Sequence, residues 1–151
     1  MDWKLVAQTV FVGCLLVQIW EDLRWQLLYD EVSLLLAGTG LACAWQRGQF
    51  LDAAAASALA GGFLWLLYFF TEGGMGLGDV FLALALGWWL NWQLALLMLV
   101  LAFILGGICA LFLLCSGRGR RAKLPFGPCL AFGAVLAFFY GEKILRWYFS
   151  L

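Results

Sequence analysis

Long apolar runs separated by short polar breaks set the pattern of this chain. They fall at about 3–20, 27–45, 51–70, 75–90, 94–115 and 124–141. A membrane-spanning helix needs roughly 20 apolar residues, with a range of about 17–25. Each run therefore predicts one helix. Strands of a membrane barrel would alternate polar and apolar residues, and these runs do not. The expected fold is all-α: a polytopic membrane protein, a bundle of about six transmembrane helices in one domain over 1–151. The fourth run is short, which places Asp79 in the first or second turn of its helix.

Composition supports the same solvent. Hydrophobic residues make up 66% of the chain, charged residues only 12%, and mean hydropathy is +0.97. A soluble domain of this length has no room to hide so much apolar surface. Lipid is thus an expected partner. Lys plus Arg equals Asp plus Glu at nine each, and nothing in the pattern suggests nucleic acid. No residues suited to a small-residue cleavage site follow the first run, where Gln18-Ile19-Trp20 is bulky, so that run is read as a retained helix. Most of the nine tryptophans fall near predicted helix ends, as in an interfacial belt. There is no histidine, and none of the five cysteines forms a C-x-x-C pair, so no metal site is expected. The cysteines read as small packing residues.

Basic residues set the orientation. Four of the nine, Arg118, Arg120, Arg121 and Lys123, share the loop before the last run. That loop is placed in the cytoplasm, which puts both termini outside. The polar stretch around Asp22 and the glycines before Asp79 then lie on the cytoplasmic side.

Small residues recur every four positions in three helices: Ala53/Ser57/Gly61, Asp79/Ala83/Gly87 and Gly133/Ala137/Gly141. Such rows let helices approach closely. The second row begins at Asp79, so its carboxylate should face the bundle interior.

The chemistry centres on Gly73-Gly74-Met75-Gly76-Leu77-Gly78-Asp79. An aspartate at the edge of an apolar run is costly and calls for a reason. Glycines beside it allow another backbone to come close. Asp22, at the end of the first run, should lie at a similar depth. Two carboxylates sharing a site do not easily both ionise. The ionised member takes a proton from water and the protonated member donates to a carbonyl oxygen, which is what amide hydrolysis requires. By residue pattern alone, Asp22 also fits a loop acid and Asp79 a helix N-cap. Acids in the membrane also serve as proton relays, so a proton-coupled transporter or channel using the same two aspartates is the alternative.

At these residues the sequence resembles the type IV prepilin peptidases, membrane aspartyl proteases with a GxGD motif. Gly76-Leu77-Gly78-Asp79 is that motif, followed by the small and apolar Leu82-Ala83-Leu84-Ala85-Leu86-Gly87. Glu21-Asp22-Leu23-Arg24 looks like the family's first aspartate and its neighbours. Leu124-Pro125-Phe126-Gly127-Pro128 looks like its PFGP element. The resemblance implies Asp22 and Asp79 as the catalytic pair. It makes Gly76, Gly78, Pro125, Gly127 and Pro128 residues that shape the site or bind substrate. It implies cleavage of the short basic cytoplasmic leader of type IV prepilins or type II secretion pseudopilins, after a glycine, with no cofactor. Localisation would be the bacterial cytoplasmic membrane, with the site on its inner face. Many bacterial members also carry an amino-terminal domain with paired C-x-x-C motifs, associated with methyl transfer. This chain shows no such pairs, so the expectation is a protease without methyltransferase activity.

Two positions depart from the family pattern. Tyr29 stands before Asp30 where a proline is common. Phe81 stands two residues after Asp79, where a lysine is common. These bear on substrate handling more than on the cut.

Under this orientation Glu21, Asp22, Asp30, Glu31, Glu72 and Asp79 share the cytoplasmic side. They read either as capping and solvated charge or as a negative mouth that attracts a basic peptide. Exposed charges are screened beyond about 10 Å at 0.1 M salt. If the mouth steers substrate, cleavage of a basic-leader peptide should slow as salt rises in a steady-state assay. A rate indifferent to salt removes the steering role.

Overall fold

The computed structural model describes residues 3–25, 30–72, 75–116 and 126–151. Among the described residues there are six helices and no strand: α1 (Trp3–Trp25), α2 (Asp30–Gln46), α3 (Phe50–Phe70), α4 (Leu77–Gly87), α5 (Trp92–Cys115) and α6 (Phe126–Phe149). Four of them, α1, α3, α5 and α6, are long and apolar enough to cross a membrane. The chain is a multi-pass membrane protein.

The helix ends differ from the apolar runs in ways that matter. The polar stretch 21–25 was read as a link, but α1 continues through it. It contains no glycine or proline, and Asp22 falls four residues after Gln18 on a stripe with Phe11, Cys14 and Leu15. All five are buried. Helical spacing thus outweighs the local charge. The segment after Gly141, beyond the last apolar run, is also helical, with an exposed Arg146–Glu142 pair at 3.6 Å along it. Asn91, in the break between the fourth and fifth runs, is a helix cap. Its side chain accepts a hydrogen bond from the Leu94 N–H at 2.8 Å and starts α5. Gly48, with φ +68°, takes the left-handed turn that ends α2, a conformation that suits glycine.

The run at 75–90 yields only the 11 residues of α4. At about 1.5 Å per residue that is about 17 Å, well short of a bilayer core of about 30 Å. α4 does not cross alone. It sits inside a ring in which α1 touches α2 and α6, α3 touches α2 and α5, and α5 touches α6. Asp79, Val80, Leu82, Ala83, Ala85, Leu86 and Gly87 of α4 are all buried. The ring turns large apolar side chains outward, among them Leu16, Leu34, Val100 and Phe112. That surface is suited to lipid and not to water.

The small-residue rows act as expected. A methyl group on Gly87 would collide with the Ser57 backbone of α3, and one on Gly61 would collide with Leu84 of α4. Ser57 Oγ donates to the Leu84 carbonyl at 2.7 Å. On the other side, a methyl on Gly133 of α6 would stand 2.7 Å from the Met98 carbonyl of α5. Beyond the end of α4, the Trp89 indole donates to the Leu36 carbonyl of α2 at 2.8 Å, and Phe11 packs on it with ring centres 4.9 Å apart.

Gly87 faces backbone, so a larger residue there cannot be accommodated by a rotamer change. Gly87→Val should destabilise the protein by at least the 1–3 kcal/mol typical of overpacking. A thermal melt in detergent checks it. An unchanged melt would mean that α3 and α4 do not meet there.

Candidate functional site

The two aspartates lie at the same end of the bundle. Asp22 is in the last turn of α1 and Asp79 in the first turn of α4. Each is almost fully buried, with 6% and 7% of its surface exposed. Asp79 lies within reach of the Asp22 charge. The helices that carry them are held apart, since no Cα of α1 comes within 8 Å of a Cα of α4 among the described residues. The two carboxyls thus interact by charge across a gap between helices that do not pack on one another.

Helix starts supply the surroundings. Gly76 is the N-cap of α4 and its carbonyl accepts from the Asp79 N–H at 3.2 Å. The Gly76 N–H lies beside the Asp79 carboxyl, and the Gly127 N–H beside that of Asp22. These amides belong to helix starts, where the N–H groups have no partner within the helix. Neither aspartate is ion-paired among the described residues. Arg24 turns away from the pair to sit over the rings of Trp20 and Trp25, at 5.6 and 5.7 Å. Asp22 Oδ2 and Asp79 Oδ1 have no hydrogen-bond partner. Among the described residues, then, two buried carboxyls have unused acceptor oxygens and no counter-cation, an arrangement that can accept hydrogen bonds from water or another polar group.

The structure brings Gly127 to the site directly. A methyl group there would stand 2.6 Å from Asp22 Oδ2 and 3.1 Å from its Cγ. Phe126, the first residue of α6, packs on Phe103 of α5 with ring centres 5.2 Å apart, which holds this helix start in place. Pro128 sits in the first turn of α6, where its missing N–H costs nothing. Gly76 has open space on the side where a methyl would go, touching only Asp79 Oδ2 at 3.6 Å. Its φ of −69° is open to any residue, so its value is room and not backbone freedom. Gly78 is in the first turn of α4. Pro125 and the basic residues of the loop before α6 lie outside the described residues, as do Gly73 and Gly74.

The sequence model of the type IV leader peptidase family matches residues 9–111. The chain belongs to that family. The match takes in both aspartates and stops short of α6, so Gly127 and Pro128 lie beyond it. Relatives are similar over nearly the whole chain. A prepilin leader peptidase/N-methyltransferase of Aeromonas salmonicida is 35% identical over 98% of this chain and 54% of its own length. Proteins of the same description from Legionella pneumophila and Bacillus subtilis are 33% and 28% identical, over 96% and 98% of this chain and 53% and 61% of theirs. The chain thus spans little more than half the length of these leader peptidase relatives. No solved structure matches it.

Residue pattern named Glu21 but not its burial, and did not single out Gln18 or its partner Ser33. Glu21, expected either as capping or solvated charge or as part of a negative mouth, is only partly exposed, and its Oε2 is buried with no partner among the described residues. Gln18 is 1% exposed and its amide donates to Ser33 Oγ of α2 at 2.7 Å. The available signal was the spacing. Gln18 stands in an otherwise apolar stretch one helical turn before Asp22.

Gly127→Ala meets the movable Asp22 carboxyl and not backbone, so the fold should hold while the carboxyl shifts. A misplacement of about 1 Å in a catalytic constellation costs on the order of 10²-fold in rate. A peptide-cleavage assay on the purified variant should show a loss of that order, and wild-type rates would mean that Asp22 does not act from this position.

Proposed function

We propose that this protein is a membrane aspartyl endopeptidase. It removes the basic leader of type IV prepilins or type II secretion pseudopilins, on the cytoplasmic side of a bacterial inner membrane. The observation that carries the reading is the pair itself. The fold buries two carboxyls from distant parts of the chain at one end of an apolar bundle, and among the described residues neither is paired with a cation and each has an acceptor oxygen unused. Burial of this kind is expensive in a purely structural role, because a charge taken from water needs compensation. Family membership favours peptide hydrolysis as the use of such a pair, and the descriptions of the relatives favour prepilins as the substrate.

In this mechanism Asp22 and Asp79 share one proton around a water molecule. The ionised carboxylate takes a proton from the water as its oxygen attacks the scissile carbonyl carbon. The protonated partner gives its proton to the carbonyl oxygen. Collapse of the tetrahedral intermediate breaks the C–N bond: the proton taken from water passes to the leaving amine, and the carboxylate that protonated the carbonyl oxygen takes a hydroxyl proton back as the C=O bond of the new acid forms. The pair ends with one proton, as it began. Gly76 leaves space beside Asp79 for an extended peptide, and Gly127 keeps the Asp22 carboxyl in place from the α6 side. Sharing a proton needs two acids, so neither can be replaced by an amide.

The test uses purified protein in detergent with a prepilin as substrate. Asp22→Asn and Asp79→Asn keep size and shape but cannot exchange the proton. Each should lower cleavage by about 10²–10⁴-fold, the scale of a lost acid–base group, with an unchanged thermal melt. Near-normal cutting by either variant removes that residue from the mechanism. Proton flux in liposomes without any cleavage would favour a relay instead.

A further inference from the structure

Four buried side-chain polar atoms among the described residues have no hydrogen-bond partner: Gln18 Oε1, Glu21 Oε2, Asp22 Oδ2 and Asp79 Oδ1. Native interiors leave few such atoms, and each calls for an explanation. Here all four gather at one place, three on the last two turns of α1 and one at the start of α4. The proteolytic mechanism uses two of them. Gln18 is the deepest of the rest, at 1% exposure, and it stands about 6 Å along the helix from Asp22 on the same buried stripe.

One neighbour, Ser33, holds one end of the amide. The Gln18 NH2 donates to Ser33 Oγ at 2.7 Å, which commits one half of the amide and leaves the carbonyl half free. Ser33 is itself 4% exposed, and it is the polar residue in the wall of a cavity of about 360 Å³ between α2 and α4. Phe81 and Ala85 of α4 line the same cavity, Phe81 only two residues from Asp79. A purely structural contact would use up both halves of the amide. This one holds the amide still and leaves its acceptor vacant.

A peptide cut at this depth creates a matching need. To meet two acids buried at 6% and 7% exposure, the cleaved segment must lie extended in a crevice that excludes most water, and its backbone N–H groups then need protein acceptors. An enzyme that cuts there has to supply acceptors. We propose that Gln18, held by Ser33, binds the main chain of the substrate next to the scissile bond, its Oε1 accepting one backbone N–H. The ligand class is an extended peptide backbone, so this contact orients the substrate irrespective of its side chains. The inference rests on the proteolytic reading above and adds a subsite to it.

The experiment uses the full chain in detergent and a synthetic peptide with a basic leader ending in glycine. Amides flanking the scissile bond are replaced one at a time by esters, which removes a single N–H. Gln18→Leu removes the acceptor and is checked by thermal melt; Gln18→Met is the second variant if leucine lowers the melt. Loss of one hydrogen bond of this kind should reduce kcat/KM about tenfold, chiefly through KM. One ester should cost the wild type about tenfold and cost the Gln18 variant nothing further, as in a double-mutant cycle. Ser33→Ala, which frees the amide to turn, should produce part of the same loss.

Unchanged kcat/KM in the folded Gln18 variant overturns the proposal. So does an ester scan in which every position adds fully to the Gln18 substitution, because the residue then acts through structure alone. A wild type that does not cut the all-amide peptide defeats the proteolytic reading itself, and the two failures are told apart by that control.

Discussion

The close approach of α3 and α4 at Ser57 and Gly87 supports the rest of the structure. α4 is too short to hold itself across a bilayer, and its 11 residues are apolar on nearly every side. In lipid there is no hydrophobic drive to sort one helix from another, so packing and a few hydrogen bonds must do it. Gly87 lets the α4 backbone settle on that of α3, and the Ser57 hydroxyl adds a bond to the Leu84 carbonyl. With that contact made, α4 lies inside the ring, and Asp79 in its first turn comes to rest at a set depth facing α1.

The second aspartate is positioned by different means. Asp22 belongs to the buried stripe of α1 that begins at Phe11 and passes through Gln18. Phe11 packs on Trp89 and Phe138 at the far end, with ring centres 4.9 and 4.7 Å away, and this fixes the rotation of α1 about its axis. Gly127 then closes the near end against the Asp22 carboxyl. The site is thus assembled from α1, α4 and α6, each anchored by contacts far from the acids. A rigid bundle is the kind of scaffold on which two acids and a bound peptide can be held within catalytic tolerance.

Polar atoms are distributed unevenly through this fold. Most of the interior is free of unpaired polar atoms, as a chain in hydrocarbon must be. The exceptions crowd around the pair. Burying four unused acceptors together makes that end of the bundle less stable than an apolar filling would. This is the usual character of a site that waits for a polar ligand.

Much of this was legible in the order of residues. Apolar runs name six helices because hydrocarbon forces the backbone to satisfy itself, and the spacing of small residues names the faces that meet. Gly76-Leu77-Gly78-Asp79 and Asp22 point to the acids because a carboxyl in such surroundings is costly. What a linear pattern could not reveal is where a charged stretch stops being a loop. Glu21, Asp22 and Arg24 look like a link, yet helix α1 runs through them and turns Asp22 inward. Nor could it show that α4 is a buried half-length helix, since a run of apolar residues reads alike whether it faces lipid or other helices. The vacant acceptor of Gln18 and the contact of Gly127 with Asp22 depend on neighbours far away in the chain. Residue order therefore determined the solvent, the helices and the two acids, while tertiary packing decided which polar atoms would be buried together without partners.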